Sequence, residues 1–292
     1  EIAKTSISKY TKMDEVICSD DRARGLLQFY GASTGRWAGR LIQVQNLPRN
    51  TIKDLDLARQ LVADGDMEML EMCYSSIPDI LSQLIRTAFI PSPGHRFIVS
   101  DFSAIEARVI AWIAGEAWRL EVFRTHGKIY EASAAKMFKV PIESIDKGSP
   151  LRQKGKVAEL ALGYQGSVGA LRQMDRKWAA KASEEELQEL VNQWREANPK
   201  IVKLWYDVEA AAIEAIANRT IVELQQIKFI YEPSFLFIQL PSGRKLAYPK
   251  PKLQPHDKFK GKTKITYSCL GSNYKWRSEE HTSELQSLRH LV

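Results

Sequence analysis

The chain has 292 residues, 44% of them hydrophobic, with 42 lysines and arginines against 35 aspartates and glutamates for a net charge of +7. That is enough apolar content for one large domain or two small ones, and the modest basic excess is compatible with a polyanionic partner without requiring one. No run of eighteen apolar residues offers a membrane span, and no signal peptide is evident, although the first residue is Glu1 rather than Met. Cys18, Cys73 and Cys269 are odd in number and far from any CxxC spacing, which argues against a disulfide or zinc role and for a reducing compartment.

In chain order, residues 1–30 mix charges around one amphipathic stretch and read as the end of an upstream region. Gly31-Ala-Ser-Thr-Gly35-Arg36-Trp-Ala-Gly39-Arg40 is a glycine-spaced basic loop leading into Gln45-Asn46-Leu47-Pro48. Helical patterns fill residues 54–90, with a break at 75–78, and Pro91-Ser-Pro-Gly94 makes a turn. Arg96-Phe97-Ile98-Val99-Ser100-Asp101 predicts a short apolar strand, followed at once by helix-forming sequence in which Ser103 and Glu106 have capping-box spacing. The pattern is then mostly helical to about Asn218. One helix carries Leu187, Leu190, Val191 and Trp194, and the next starts at an Asn198 N-cap with Pro199 in first position. Residues 235–240 alternate as a strand, 241–244 turn, and 245–248 pair back. A Pro/Lys-rich connector over 249–262 precedes a last strand at 264–270. The result is an α+β arrangement: a small sheet with an inserted, mostly helical subdomain.

Residues 277–292 stand apart. They match an in-frame translation of a common short-read sequencing adapter and are set aside as not native. Glu279, Glu280 and His281 therefore carry no functional weight.

Three elements carry chemistry. Asp101 at a strand tip, with Glu106 half a turn into the next helix, suits a divalent metal, although a strand-end carboxylate paired with Arg108 and a simple capping box are the bland alternatives. Nucleotidyl transfer works by positioning and charge neutralisation, with metal ions clamping the attacking and leaving oxygens. Arg152 and Lys156 lie about 6 Å apart along a helix axis and about 40° apart around it, so both face one way. Leu160 and Tyr164 extend that stripe, giving a cationic head and an apolar, aromatic tail that mirror a triphosphate and a flat base. Two solvated basic residues and a core tyrosine would be the plain alternative. In the loop at 31–49, Gly35, Arg36, Gly39 and Arg40 permit backbone approach to phosphates, and Gln45 and Asn46 offer amides to a minor groove. No GxxxxGK[ST] motif occurs.

In this order and spacing, Asp101-Phe-Ser-Ala-Ile-Glu106-Ala-Arg108 and Arg152-Gln-Lys-Gly-Lys156-Val-Ala-Glu-Leu160-Ala-Leu-Gly163-Tyr164 resemble motifs A and B of the family A (DNA polymerase I-like) DNA polymerases, bacteriophage branch. The likeness covers about residues 22–276. It implies an incomplete right-hand polymerase whose intact parent carries out template-directed DNA synthesis from dNTPs on primer–template DNA, in a bacterial or phage-infected cytoplasm. Protein partners are not indicated. By the same likeness residues 1–30 end a thumb or upstream region, 31–110 form the first part of the palm, 111–234 the fingers with the motif B helix at about 150–165, and 235–276 a hairpin returning toward the palm.

The resemblance implies site residues as well. Asp101, with the carbonyl of Phe102, would hold two catalytic Mg2+ ions. Glu106 would exclude a 2′-hydroxyl. Arg152 and Lys156 would bind the triphosphate, with Lys156 also catalytic. Tyr130 would lie beside the nucleotide and Tyr164 near the template base. Thr34, Arg36, Arg40, Gln45 and Asn46 would contact DNA. Leu160 stands where Phe or Tyr is usual, and Ala104 replaces a glutamine. The second catalytic aspartate, in a His-Asp-Glu signature, is absent, so residues 1–292 alone are not expected to polymerise. A single-subunit RNA polymerase, disfavoured by Glu106, and a non-catalytic nucleic-acid-binding module are the competing readings.

Overall fold

The computed structural model describes residues 2–32, 35–256, 260–270 and 276–280. It divides into two compact units, Glu1–Asp101 and Phe102–Val292.

The first unit opens with helix α1 (Ile2–Val16), followed by a minimal antiparallel pair, β1 (Leu27–Gln28) and β2 (Ala38–Gly39). Three short helices follow: α2 (Leu55–Asp64), α3 (Met67–Cys73) and α4 (Ile77–Leu84). Their boundaries are local chemistry. Asp54, Asp66 and Ser76 each accept a hydrogen bond from a backbone amide in the first turn, at Leu57, Met69 and Asp79. Gly65, at φ 71°, ends α2 in the left-handed conformation that glycine adopts without penalty. Ala58, Leu61, Leu70, Ile80 and Leu84 form one small core, and Met13, Ile42, Leu47 and Ile85 another.

The predicted strand at 96–101 is not one. The segment is neither helix nor strand, and Ile98 and Val99 are 84% and 92% exposed. Strand-forming side chains do not make a strand without a partner ladder, and no described strand pairs with this one. The capping box at Ser103 is also not formed. Ala104 takes the N-cap position in a left-handed conformation at φ 51°, so the Ser103 hydroxyl caps nothing, while its carbonyl accepts from Arg108 Nε at 2.9 Å.

The second unit is larger. Eight helices precede its sheets: α5 (Ile105–Ala114), α6 (Ala117–Thr125), α7 (Ile129–Phe138), α8 (Pro150–Leu162), α9 (Val168–Met174), α10 (Arg176–Ala179), α11 (Glu184–Ala197) and α12 (Pro199–Asn218). A capping box does form at α11, between Ser183 and Glu186. Asn198 occupies the predicted N-cap of α12, but its side chain does not cap. It accepts from Arg119 and donates to the Trp194 carbonyl at 2.8 Å instead. Trp194 and Trp205, both essentially fully buried, stack at 5.8 Å with planes 7° apart.

Two antiparallel sheets follow. β3 (Ile221–Leu224), β4 (Ile227–Glu232), β5 (Phe235–Gln239) and β6 (Lys245–Pro249) pair in sequence order. The register sets Phe229 opposite Ile238 and Ile238 opposite Leu246, so one face is apolar and joins the helical core, where the sheet meets α12. The β3–β4 hairpin was not read from sequence, and the connector at 249–262 carries a further strand. That strand, β7 (Lys252–Pro255), pairs with β8 (Thr263–Leu270), which pairs with β9 (Trp276–Glu280). Four residues of the stretch set aside as non-native thus lie in an edge strand, where backbone hydrogen bonds place little demand on side-chain identity. The α+β class stands, with small antiparallel sheets.

Candidate functional site

The α7–α8 pair lies in the second unit. Ser149 caps α8 by accepting from Leu151 N at 3.2 Å, and Pro150 takes the first helical position. Gly155 then permits an unusually close helix crossing. A Cβ there would lie 2.5 Å from the Tyr130 carbonyl oxygen and 2.9 Å from Ala134 Cβ. Glycine costs a helix interior about 1 kcal/mol relative to alanine, and here it allows the two backbones to meet. The crossing brings Tyr130 and Glu131 of α7 against Arg152 of α8.

Arg152 is held on two sides. Its Nε donates to Glu131 Oε1 at 2.7 Å, and its guanidinium carbon lies 5.6 Å from the Tyr130 ring centroid. Burial pushes the Glu131 carboxyl up, but the bond from Arg152 and the nearby Lys128 charge outweigh it, leaving the pKa below the ordinary value. One turn on, Lys156 is half-buried and makes no hydrogen bond or ion pair with any described residue. Leu160 is 43% exposed on the same side. The helix stops at Leu162, short of the predicted 165, and Tyr164 follows in the turn. Its hydroxyl donates to Glu106 Oε2, tying the start of α5 to the end of α8.

The buried side of α8 is locked in a polar network. Glu159 Oε1 accepts from Arg119 Nη1 at 2.8 Å, from Ser133 Oγ at 2.7 Å and from Trp194 Nε1 at 2.9 Å, while Oε2 accepts from Arg119 Nη2. Arg119 is 1% exposed and also donates to Asn198 Oδ1 at 2.9 Å. A buried carboxylate and guanidinium persist only when paired and hydrogen-bonded in this way, here through both Arg119 terminal nitrogens, with Nε left without a partner among the described residues. The network fixes which face of α8 points inward and so which side chains point out.

The predicted residues of the first unit sit as follows. Ile42 and Leu47 are buried, and Arg86 donates to the carbonyls of Pro48 at 2.7 Å and Leu47 at 2.6 Å. With those anchors in place, Arg36, Arg40, Gln45 and Asn46 are all exposed. The Gln45 amide packs on Gly39, where a Cβ would come within 2.1 Å of Nε2. Phe29 and Trp37, exposed and 5.2 Å apart edge to face, lie on the same small hairpin. Thr34 falls outside the described residues.

Asp101 is exposed and has no hydrogen bond or ion pair with any described residue, Arg108 included; Arg108 instead stands 4.4 Å over the Phe123 ring. The Phe102 carbonyl accepts from Ile105 N at 3.3 Å and keeps a second lone pair. Magnesium is usually held by one or two carboxylates together with substrate phosphates and water. Asp101 and Phe102 therefore fit as two oxygen donors. They are not a full set, and among the described residues no group of three His, Cys, Asp or Glu side chains converges on a metal position.

The model of DNA polymerase family A matches residues 1–228. The chain belongs to DNA polymerase family A. A DNA polymerase of Bacillus phage SP02 is 66% identical over 278 residues, which is 94% of this chain and 43% of the phage protein. DNA polymerase I of Caldicellulosiruptor bescii is 27% identical over 193 residues, covering 66% of this chain and 20% of that protein. The chain thus spans less than half the length of these relatives. Among solved structures, the POL domain of Pol1 from M. smegmatis, in complex with DNA primer-template and dNTP, matches with a TM-score of 0.55 at 19% identity, covering 84% of this chain and 34% of that one. That likeness speaks for the fold.

Arg119, Glu131, Gly155 and Glu159 were missed in sequence. Each acts through a partner more than twenty residues away or through a helix crossing, and neither leaves a local spacing to find.

Proposed function

We propose that this family A chain takes part in template-directed DNA synthesis, transferring a nucleotidyl group from a dNTP to a primer 3′-hydroxyl. The observation that carries the reading is the outward stripe of α8, where Arg152 is pre-oriented, Lys156 is unpaired among the described residues and Leu160 is open. Arg152 and Lys156 would donate hydrogen bonds to the triphosphate oxygens, where fixed cations offset charge that grows in the transition state. Leu160 and Tyr130 would bound the sugar and base. Glu106, restrained by the Tyr164 hydroxyl, would stand where a ribose 2′-hydroxyl would otherwise enter, which favours deoxynucleotides and disfavours the RNA polymerase reading. Arg36, Arg40, Gln45 and Asn46 would contact primer–template DNA.

Two Mg2+ ions held by Asp101 and the Phe102 carbonyl would neutralise phosphate charge and make the primer hydroxyl a better nucleophile. The second acidic ligand that the resemblance calls for has no counterpart in residues 1–276, so primer extension by residues 1–292 alone is not expected. The work would take place inside a bacterial or phage-infected cell; no described helix is long and apolar enough to cross a membrane.

The test is single-nucleotide incorporation by the full-length protein that carries this chain. Lys156→Ala and Asp101→Ala should each cut incorporation by at least about 10²-fold. Wild-type rates in either variant would refute the reading, as would intact biological activity after Asp101→Ala, which the non-catalytic module predicts.

A further inference from the structure

Arg152 lies in the first turn of α8, at the positive end of the helix dipole, where a cation is disfavoured and a flexible guanidinium has no reason to keep one pose. Two neighbours on α7 give it one. Glu131, about nine-tenths buried, accepts from Nε at 2.7 Å, and the Tyr130 ring backs the guanidinium at 5.6 Å. The carboxylate takes the inner edge only. Among the described residues no hydrogen bond uses Nη1 or Nη2.

We propose that Glu131 is a positioning residue for triphosphate binding: it holds Arg152 by Nε so that the two terminal amino groups face phosphate oxygens as a preformed fork. The proposal rests on the reading of α8 as the nucleotide helix. A guanidinium offers five donors in a rigid plane, so one carboxylate on Nε fixes the plane and leaves the outer pair free for bidentate contact. Removing that anchor returns the ordering cost of a long side chain to each nucleotide-binding event. Glu131 also adds a negative charge near the phosphates, which works in the other direction. Its burial and its pairing with Arg152 confine that charge, and orientation is the larger effect.

A double-mutant cycle in the full-length protein that carries this chain tests this, with KM for dNTP and kcat read separately. Glu131→Ala should raise KM about tenfold with kcat changed less than about twofold. Glu131→Gln, which keeps an acceptor for Nε, should recover most of the loss. In an Arg152→Ala background Glu131→Ala should add nothing, whereas beside Lys156→Ala its effect should persist. A lower or unchanged KM in Glu131→Ala overturns the proposal, and so does an equal rise in the Arg152→Ala background, which would mark general damage to α7. If Glu131→Ala does not fold, Glu131→Gln and Glu131→Asp carry the test: near-normal KM in the first and a raised KM in the second are expected, and the reverse overturns it. Wild-type KM in both Arg152→Ala and Lys156→Ala would instead sink the nucleotide-helix reading, and this proposal with it.

Discussion

The α7–α8 pair and the segment at 96–101 both carry residues that resemble a family motif, and they are built in opposite ways. The α8 helix is seated by buried contacts, Gly155 against the Tyr130 carbonyl and Glu159 held by Arg119, Ser133 and Trp194, and its Arg152 is anchored on Glu131. In the segment, Ile98 and Val99 are open to solvent and Asp101 is unsupported among the described residues. The difference teaches that motif residues do not bring their scaffold with them. A helix holds its own hydrogen bonds and needs only a packing face, whereas a strand borrows its hydrogen bonds from neighbours.

That contrast can be broken at the network first. Glu159→Ala leaves Arg119 buried and uncompensated, and should cost about 3–5 kcal/mol in denaturant unfolding of the second unit. A loss near zero would mean that α8 is seated by its apolar face alone. Gly155→Ala forces the helix crossing apart against backbone atoms, and should cost about 1–3 kcal/mol, read as a fall in thermal midpoint. The unchanged helical propensity scale would predict a gain instead, so the sign decides. At the small end, Val99→Lys should shift the stability of this chain by no more than about 0.5 kcal/mol, because the side chain has almost nothing to lose. A larger loss would reveal a partner for the segment and erase the contrast. Acid sharpens the picture on α7. The lowered Glu131 pKa means that its pairing with Arg152 stabilises the folded state above the ordinary carboxylate range, and that this contribution disappears as pH falls through the folded value. Glu131→Gln should flatten that part of the stability–pH curve.

The sequence made some of this legible and hid the rest for definable reasons. The α11–α12 break at Asn198–Pro199 and the β5–β6 hairpin were readable because their signals are local: a proline in first helical position, and alternation on both sides of Pro-Ser-Gly. The β3–β4 hairpin was missed because its turn has no glycine or asparagine; Gln225 takes the left-handed conformation, at φ 55°. Residues 96–101 misled because β-branched, apolar composition reports a wish to be buried and does not report a partner. For the site, Arg152 and Lys156 stood out only when their i, i+4 spacing was joined to the family resemblance. Glu131 was not, since it meets Arg152 only across the helix crossing that Gly155 allows.

One more consequence follows from the stacked indoles of Trp194 and Trp205. The Trp194 ring nitrogen donates to Glu159 on α8, so the pair senses how firmly that helix is seated. Two nearly parallel, dry chromophores should give a strong near-ultraviolet circular dichroism band. Loss of that band while far-ultraviolet helicity persists would register α8 slipping from its berth, with no label attached and no substrate added.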